Sequence, residues 1–262
     1  MRDTLKRAMG EAPLTQIRQQ FNQEIENGGL IPRHEHRGHD RAFTTDEMIA
    51  LEHDNIRMMR HGQNQQLALA SIDTRQQIQE LYTQLSNSQR EAVADILSSH
   101  DQVTALEGVA GSGKTTALTA VRDAAQREGF RVEGLAPTSR AAHKLAEGGI
   151  ESGTLQRHLV RSAQEDNQQK RLYVLDESSM ASTRQVNEFL QRLGPPDRVL
   201  LVGDVRQHEA VEAGRPYHQL QQAGMKTAHL DDIVRQKDPA LKQPVEQLAR
   251  GEVQEANENL DG

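Results

Sequence analysis

The chain has 262 residues, a net charge of −7 and no cysteine, so it can form one or two domains but neither disulfides nor thiolate metal sites. The chain has 38 acidic and 31 basic residues, and this acidic excess argues against a histone-like protein. It does not exclude a local basic groove for nucleic acid. Aromatic residues make up 3% and tryptophan is absent, which leaves little material for base stacking. No apolar run approaches ~18 residues and no signal-peptide pattern is present, so we expect a cytoplasmic protein without membrane insertion.

Residues 1–85 are rich in Gln, Arg, His and Asn, and their periodicity predicts a mainly helical region. Thr44 followed by Glu47 fits a capping box, which predicts a helix that begins there and ends near His61. A second helix, with a break near its middle, is predicted over residues 65–85.

Three histidines in a short run, His34, His36 and His39, raise the question of a metal site. Charged residues and a glycine separate them, whereas histidines that bind metal from a buried strand alternate with apolar residues. This pattern favours a solvated loop, with a metal site as the less favoured alternative.

Residues 86–232 contain short apolar strands that alternate with helices. The predicted strands cover residues 103–106, 132–136, 172–175, 199–202 and 227–230, and the predicted helices cover residues 88–97, 116–128, 140–147 and 183–193. Strands separated by helices predict an α/β fold built on a parallel sheet, with helices on both faces.

The run GVAGSGKT at residues 108–115 matches the phosphate-loop pattern G-x-x-x-x-G-K-T and lies between a predicted strand and a predicted helix. Its glycines allow backbone N–H groups to converge on phosphate oxygens, Lys114 brings a positive charge to the β and γ phosphates, and Thr115 offers a hydroxyl to Mg²⁺. We therefore expect a nucleoside triphosphate and Mg²⁺ as ligands. The residues predicted to bind the nucleotide are Gly108, Gly111, Ser112, Gly113, Lys114, Thr115 and Thr116.

Polar residues also follow two later strands, where open parallel sheets bind their ligands. Asp176 comes directly after the strand at 172–175 and is predicted to hold Mg²⁺, while Glu177 is placed to orient and deprotonate the attacking water. Gln207 follows the strand at 199–202 and by composition alone is an ordinary loop residue; a role for its neutral amide in sensing the γ-phosphate rests on the family resemblance given next.

The order of these motifs resembles that of superfamily 1 helicases of the RecD-like branch, in particular the helicase region of MobF-type conjugative relaxases. The resemblance covers roughly residues 40–262 and rests on the stretches at 85–89, 108–115, 136–142, 154–155, 176–177, 203–207 and 233–236. It implies an ATP-dependent helicase that moves 5′ to 3′ on single-stranded DNA during plasmid conjugation. It also implies a RecA-like ATP-binding domain over residues 86–232 and the start of a second motor domain over residues 233–262.

The resemblance also assigns roles to particular residues. It implies that Gln89 contacts the adenine, that Arg235 reaches the γ-phosphate, and that Pro137, Thr138 and Thr154 contact DNA. With these roles, the predicted catalytic residues are Lys114, Glu177, Gln207 and Arg235.

The chain departs from the family's pattern in two respects. A complete second motor domain needs ~100 or more residues, and the sequence ends at Gly262, soon after Arg235. We therefore expect a poor motor or a piece of a longer protein. Relaxases also nick DNA with tyrosines and a three-histidine metal site, but Tyr82, Tyr173 and Tyr217 are scattered along the chain.

Two alternatives remain open beside the relaxase helicase. One is a RecD-like repair helicase or DNA-dependent ATPase, and the other is a catalytically incomplete module that binds DNA or docks onto a type IV secretion coupling protein. The expected partner in each enzymatic case is single-stranded DNA. Six basic side chains line either a DNA groove or a solvated helix face: Arg140, His143, Lys144, Arg157, His158 and Arg161.

Overall fold

The computed structural model describes residues 14–33, 42–109, 111–161, 169–204 and 215–230. The chain divides into two compact units, residues 1–54 and residues 55–262. Within the described ranges, no helix is both long enough and apolar enough to cross a bilayer.

The first unit contains helix α1 (Leu14–Glu26) and a two-stranded antiparallel sheet of β1 (Ile31–Arg33) and β2 (Ala42–Thr44). Helix α2 (Asp46–His61) begins in this unit, and its end at His61 is as predicted. The predicted capping box is wrong by one residue, because Thr44 pairs with Ile31 in the sheet. The hydroxyl of Thr45 caps the helix instead and accepts a hydrogen bond from the N–H of Met48 at 3.2 Å.

Two helices precede the main sheet in the second unit, α3 (Ile72–Leu81) and α4 (Asn87–Leu97). Helix α3 is shorter than the predicted helix over 65–85. The N–H groups of Gln66 and Ala70 donate to the carbonyls of His100 and Leu97, so the segment before α3 follows the end of α4 instead of coiling.

The main sheet has six parallel strands in the order β5-β4-β6-β7-β3-β8. Its strands are β3 (Val103–Gly108), β4 (Arg131–Ala136), β5 (Ser152–Thr154), β6 (Arg171–Leu175), β7 (Arg198–Gly203) and β8 (Thr227–Leu230). The connecting helices are α5 (Lys114–Arg127), α6 (Ser139–Glu147), α7 (Leu155–Val160), α8 (Thr183–Leu190) and α9 (Pro216–Gln222). The predicted α/β class and the five predicted strands are confirmed, whereas the short edge strand β5 was not predicted.

The sheet is covered on both faces, as the continuous apolar character of its strands requires. In β7, Leu200 and Val202 pack into one apolar cluster with α4 and α5, while Val199 and Leu201 pack into a second cluster with α8 and α9. This alternation follows from the two-residue period of a strand. The strand ends are therefore held in a rigid layer, and all of them open at the same edge.

The division between the units lies at Asp54 and Asn55, well before the predicted boundary at residues 85 and 86. The reason is that Ile78, Tyr82 and Leu85 belong to the same apolar cluster as α4 and α5. Residues 233–262 lie outside the described part of the chain, so the start of a second motor domain stays a prediction.

Candidate nucleotide site at the carboxyl edge of the sheet

The loop between β3 and α5 has the backbone geometry of an anion cradle. Gly111 and Gly113 have φ angles of 90° and 80°, which residues other than glycine rarely adopt. Gly113 is also the N-cap of α5, and its carbonyl accepts from the N–H groups of Thr116 and Ala117. The first N–H groups of α5 therefore point out of the helix beside the loop, where a phosphate group is bound most favourably.

Gly108, where β3 ends, is a glycine because nothing larger fits. A Cβ atom there would lie 2.6 Å from the Ser112 Oγ and 3.0 Å from the Leu230 Cβ. The Ser112 hydroxyl is buried and has no hydrogen-bond partner among the described residues. A buried polar atom without a partner is rare in proteins, and inside a phosphate loop it fits a site built around a polar ligand.

The side chains of the first helical turn provide the charge and the hydroxyl that the sequence predicts. The Lys114 Nζ donates to the carbonyls of Gly108 at 2.5 Å and Val109 at 3.1 Å, so the ammonium lies at the start of the loop. Thr115 and Thr116 are exposed on the same turn. The structure thus brings together Gly108, Gly111, Ser112, Gly113, Lys114, Thr115 and Thr116 in one loop and helix start.

Asp176 and Glu177 follow β6 at the same edge of the sheet as the loop. The N–H of Asp176 donates to the Leu135 carbonyl, and the Asp176 Oδ1 accepts from the Glu177 N–H at 2.9 Å. Glu177 has a φ of 50°, a left-handed conformation that is uncommon for a residue other than glycine. This constrained backbone directly follows the end of β6, and outliers of this kind cluster at functional sites.

Burial raises the pKa of the Asp176 carboxyl above its usual value, while the Glu177 N–H and the charges of Lys114 and Lys144 lower that pKa. The carboxylate therefore lies in the field of the loop's lysine, and burial makes its charge costly without a cation nearby. A carboxylate and a threonine hydroxyl are oxygen ligands of the kind that Mg²⁺ prefers. Asp176 and Thr115 together fit a Mg²⁺ ion.

Gln89, the predicted adenine contact, lies in the first turn of α4 with a relative exposure of 3%. Its Oε1 accepts from the N–H of Ser86 at 2.9 Å, and its Nε2 donates to the carbonyl of Gly113 at 3.1 Å. Both ends of the amide are engaged within the protein. This bears on the predicted base contact, because the side chain has almost no surface left for a purine.

Thr138 and Thr154, the predicted DNA contacts, are both helix N-caps. The Thr138 Oγ1 accepts from the N–H of Ala141, and the Thr154 Oγ1 accepts from the N–H of Arg157, each at 3.2 Å. Thr138 comes two residues after β4, and Thr154 is the last residue of the neighbouring strand β5, where it is opposite Ala136. Each hydroxyl uses an acceptor site in its cap and keeps its hydrogen for donation, for example to a phosphate oxygen. Pro137 lies half-buried just before the first cap.

The end of β7 is fixed to α9 and to the turn after Glu177. A Cβ on Gly203 would lie 2.9 Å from the ring of Tyr217, and the Ser178 hydroxyl donates to the Val202 carbonyl at 2.9 Å. The Tyr217 hydroxyl donates to the Leu106 carbonyl at 3.3 Å, which joins this region to the strand of the phosphate loop. Gln207, beyond the end of β7, and Arg235 lie outside the described residues, so their predicted roles stay predictions.

The structure adds residues that the sequence did not single out. A Cβ on Gly148, just after α6, would lie 3.2 Å from the Thr115 Cγ2, so this glycine sits against the predicted Mg²⁺ ligand. Glu107, immediately before the loop, accepts from the Gln221 Nε2 of α9 at 2.7 Å. Of these two residues, only Glu107 lies next to the phosphate loop in the sequence, and this position is the one feature that could have drawn attention to it.

The six basic side chains do not share one environment. His158 is mostly buried and packs edge-on against the rings of Tyr173 and Phe189, with its Nδ1 3.5 Å from the Glu133 carboxylate. The other five side chains are exposed: Arg140, His143, Lys144, Arg157 and Arg161. The histidine run at 34–39 lies outside the described residues. Among those that are described, no three His, Cys, Asp or Glu residues form a group that could hold a metal ion.

Comparison with known proteins gives consistent matches. A family model described as an AAA domain matches residues 84–262. The chain is 31% identical over 222 residues to a probable conjugal transfer protein TraA from Sinorhizobium fredii, covering 80% of the chain and 19% of that protein. It is 32% identical over 194 residues to the multifunctional conjugation protein TraI from Escherichia coli K12, covering 70% and 11%.

A third relative is the ATP-dependent RecD2 DNA helicase from Deinococcus radiodurans, which is 35% identical over 172 residues, covering 63% of the chain and 23% of that protein. The chain thus spans less than a quarter of the length of each of these three relatives. These matches confirm the resemblance to conjugative relaxases and RecD-like helicases.

Proposed function

The chain belongs to the AAA domain family, and on this premise we propose that it is the ATP-hydrolysing helicase region of a conjugative relaxase, which moves 5′ to 3′ on single-stranded DNA. One observation carries the proposal. The phosphate loop with Lys114 and the acidic pair Asp176 and Glu177 open at the same edge of one parallel sheet, and the charge of Lys114 acts on the Asp176 carboxyl.

In this proposal the loop binds the phosphates of ATP through its backbone N–H groups and Lys114, while Thr115 and Asp176 hold Mg²⁺. The metal ion would neutralise the charge that develops on the phosphates during transfer. Glu177 would orient the attacking water and accept its proton. Its backbone is left-handed, and its N–H donates to the Asp176 Oδ1, so the two acidic residues are joined directly after β6.

The sensing of hydrolysis is assigned to Gln207 and Arg235, in keeping with the resemblance. The hydrogen bond from the Tyr217 hydroxyl to the Leu106 carbonyl joins α9, which comes after Gln207 in the chain, to the strand of the phosphate loop.

Single-stranded DNA would bind beside this site, at Pro137, Thr138 and Thr154. The two threonine hydroxyls lie at the ends of neighbouring strands and each retains a hydrogen for a phosphate oxygen. We expect binding that leans on the DNA backbone, because aromatic residues make up only 3% of the chain.

The RecD2 helicase similarity of 35% favours a second candidate function, a RecD-like repair helicase or DNA-dependent ATPase. The two functions share the chemistry of the site and differ in the process served. A type IV secretion coupling protein is a proposed partner under the relaxase function alone. Co-purification of the chain with such a protein would favour that function over the repair helicase.

The proposal is tested by ATP hydrolysis at fixed salt, with and without single-stranded DNA. Turnover that rises with DNA and is lost in Lys114→Ala supports it. Lys226→Ala is the matched control, since Lys226 is exposed and contributes only its backbone carbonyl, to the Ala105 N–H. Nucleotide binding without turnover in the unmodified chain would instead favour the non-enzymatic module, or a motor half that needs a second domain.

The direction of movement needs a separate measurement. Duplexes that carry either a 5′ or a 3′ single-stranded tail are offered to the chain with ATP. Separation of only the 5′-tailed duplex supports the proposed polarity, and separation of only the 3′-tailed duplex contradicts it.

A further inference from the structure

Arg122 joins the phosphate-loop helix α5 to the end of α6. Its Nη1 donates to the Gly148 carbonyl at 3.1 Å, and its side chain is 19% exposed. Gly148 caps the carboxyl end of α6, where the last carbonyls have no donor within the helix. A guanidinium is favoured at such an end, because its positive charge matches the negative end of the helix dipole. This hydrogen bond therefore fixes the end of α6 to α5.

Further contacts keep the guanidinium in this orientation. The Arg122 Nε and Nη2 both donate to the Asp123 Oδ1, at 2.8 Å and 2.6 Å, and the Tyr82 hydroxyl donates to the Asp123 Oδ2. Gly149 has a φ of 83°, and a Cβ there would collide with the Arg122 Nη1. The guanidinium thus lies directly against the turn formed by Gly148 and Gly149.

The turn that Arg122 holds also rests against Thr115. Thr115 and Arg122 are about two helical turns apart in α5, so their side chains lie on the same face of the helix. A Cβ on Gly148 would lie 3.2 Å from the Thr115 Cγ2, which places the Thr115 methyl group beside Gly148. Thr115 is otherwise exposed, and its hydroxyl has no hydrogen-bond partner among the described residues. The methyl contact therefore limits the rotation of a side chain that is not fixed by such a bond.

We propose that Arg122 positions the Mg²⁺ ligand Thr115, because it holds Gly148 against the Thr115 methyl group. The proposal rests on the proposed function, in which the Thr115 hydroxyl binds Mg²⁺. Threonine in a helix divides between two χ1 rotamers. The methyl and hydroxyl groups share one Cβ atom, so a neighbour that fixes the methyl group also fixes the direction of the hydroxyl. Without the Arg122 bond the turn can move away, and the second rotamer becomes accessible.

The expected effect concerns the metal ion more than the phosphates. The loop N–H groups and Lys114 bind phosphate oxygens directly, whether or not a metal ion is present. Thr115 contributes through its hydroxyl to Mg²⁺. Loss of the Arg122 bond should therefore weaken the binding of nucleotide with Mg²⁺ and leave the metal-free binding unchanged.

The test measures how much Mg²⁺ strengthens nucleotide binding. The affinity for a non-hydrolysable ATP analogue is titrated with Mg²⁺ and with EDTA, for the full chain and for Arg122→Gln, whose side chain is too short to reach the Gly148 carbonyl. The affinity with Mg²⁺ should fall about fivefold, the effect of a typical hydrogen bond, while the affinity in EDTA should stay within about twofold. Arg122→Met keeps the apolar part of the side chain and lacks every donor, so it should show the same loss.

Two control variants separate positioning from general stability. Arg127→Gln changes the same residue type on the same helix, where the Arg127 Nη1 donates to the Gln77 Oε1 at 2.9 Å. Tyr82→Phe removes the hydrogen bond to Asp123 but leaves the bond from Arg122 to α6 in place. Tyr82→Phe should lower the melting temperature, and neither control should change the strengthening by Mg²⁺.

A double-mutant cycle with Thr115→Val tests whether Arg122 acts through Thr115. Valine keeps a methyl group against Gly148 and lacks the hydroxyl. In this background Arg122→Gln should have no further effect on the Mg²⁺ dependence, because both substitutions act on the same ligand.

Four results would overturn the role of Arg122. These are an unchanged Mg²⁺ dependence in both Arg122→Gln and Arg122→Met, an equal loss in EDTA, additive losses in the cycle with Thr115→Val, and an unmodified chain whose binding Mg²⁺ does not strengthen. The proposed function itself fails in a different way. In that case the unmodified chain binds the analogue neither with Mg²⁺ nor with EDTA, which is seen before any variant is compared.

Discussion

The phosphate loop and the two threonine caps lie at one edge of the sheet, yet they are held in place by contacts of different range. The loop depends on residues far along the chain, since Gln89 holds the Gly113 carbonyl and Leu230 limits the space at Gly108. Thr138 and Thr154 are each fixed by an N–H three residues further on. A threonine hydroxyl is oriented by a hydrogen bond within its own helix. A glycine loop has no side chains to orient it, so it depends on contacts from residues distant in the chain.

The difference matters for the proposed function. A cradle of backbone N–H groups binds strongly only when the groups already converge, because ordering them on binding would cost conformational entropy. Hydroxyls that donate to a DNA backbone need less precision, since the contacts place the strand and carry no sequence information. We expect nucleotide binding at the phosphate loop to respond to substitutions far along the chain. We expect DNA binding at Thr138 and Thr154, the DNA side of the sheet edge, to respond mainly to substitutions nearby in the chain.

The largest effect is expected at Glu177. Replacing it with glutamine removes the proposed base but keeps the shape of the side chain. Hydrolysis should fall by about 10²–10⁴-fold, while nucleotide binding is retained. Phosphate release over time measures hydrolysis, and an equilibrium titration measures nucleotide binding. Glu188→Gln, on the exposed face of α8, is the control and should leave both unchanged. Full hydrolysis by Glu177→Gln would remove this residue from the mechanism.

A smaller effect is expected at Gly148, which tests the long-range support of the loop. Its φ of −73° accepts alanine, but the added Cβ would lie 3.2 Å from both the Thr115 Cγ2 and the Leu145 carbonyl oxygen. The affinity for Mg²⁺ with ATP should fall about fivefold, at the low end of the ~1–3 kcal/mol cost of overpacking.

Thr115→Ser in the same chain should restore part of this affinity, since serine keeps the hydroxyl and lacks the Cγ2, while the contact with the Leu145 carbonyl remains. Gly153→Ala is the control, because a Cβ there meets nothing within 4 Å. Failure of the serine rescue would mean that Gly148 acts on the site in another way.

Thr138→Ala tests the local support of the DNA side. It removes both the cap of α6 and the proposed phosphate contact, and should cost about 1 kcal/mol of stability. Affinity for single-stranded DNA should fall a few-fold, uniformly across sequences. Thr138→Ser keeps the hydroxyl and should behave like the unmodified chain in thermal melts and DNA titrations. A serine variant that loses DNA affinity would show that the methyl group, not the hydroxyl, is needed.

The smallest effect is expected when Glu133 is protonated at low pH. This residue contacts the helix that Thr154 caps, so it tests a longer-range contact beside the proposed DNA site. The hydrogen bond from His158, on the helix that Thr154 caps, is the main cause that lowers the Glu133 pKa below 4.5. A carboxyl with a lowered folded-state pKa stabilises the fold above its unfolded pKa, and this stability is lost as the pH falls through the folded value.

Glu133→Gln should therefore unfold more easily than the unmodified chain at pH 5–6, by less than about 1 kcal/mol, and this difference should vanish on further acidification. Denaturant unfolding at several pH values measures it. The matched control is Glu147→Gln, whose partner His143 is also 3.5 Å away but exposed. A pH-independent difference at Glu133 would mean that the pair acts through packing alone.

The sequence was a good guide where neighbouring residues decide the structure. The apolar runs predicted five strands because a buried parallel strand needs continuous apolar residues, and the loop pattern placed Lys114 and Thr115 directly before a predicted helix, which in the structure begins at Lys114. It was a poorer guide where pairing elsewhere decides. The cap of α2 moved to Thr45 because Thr44 pairs with Ile31, and β5 is too short to show a period.

By itself, the sequence determined the α/β class, the phosphate loop and the acidic pair after β6, because each is a short run whose neighbours set its conformation. Tertiary structure alone decided which strands are adjacent, that Gly148 rests against Thr115, and that the Gln89 amide faces Gly113. These contacts join residues far apart along the chain, and their directions follow from how helices pack on the sheet. A pattern of neighbouring residues in the sequence does not determine how the helices pack.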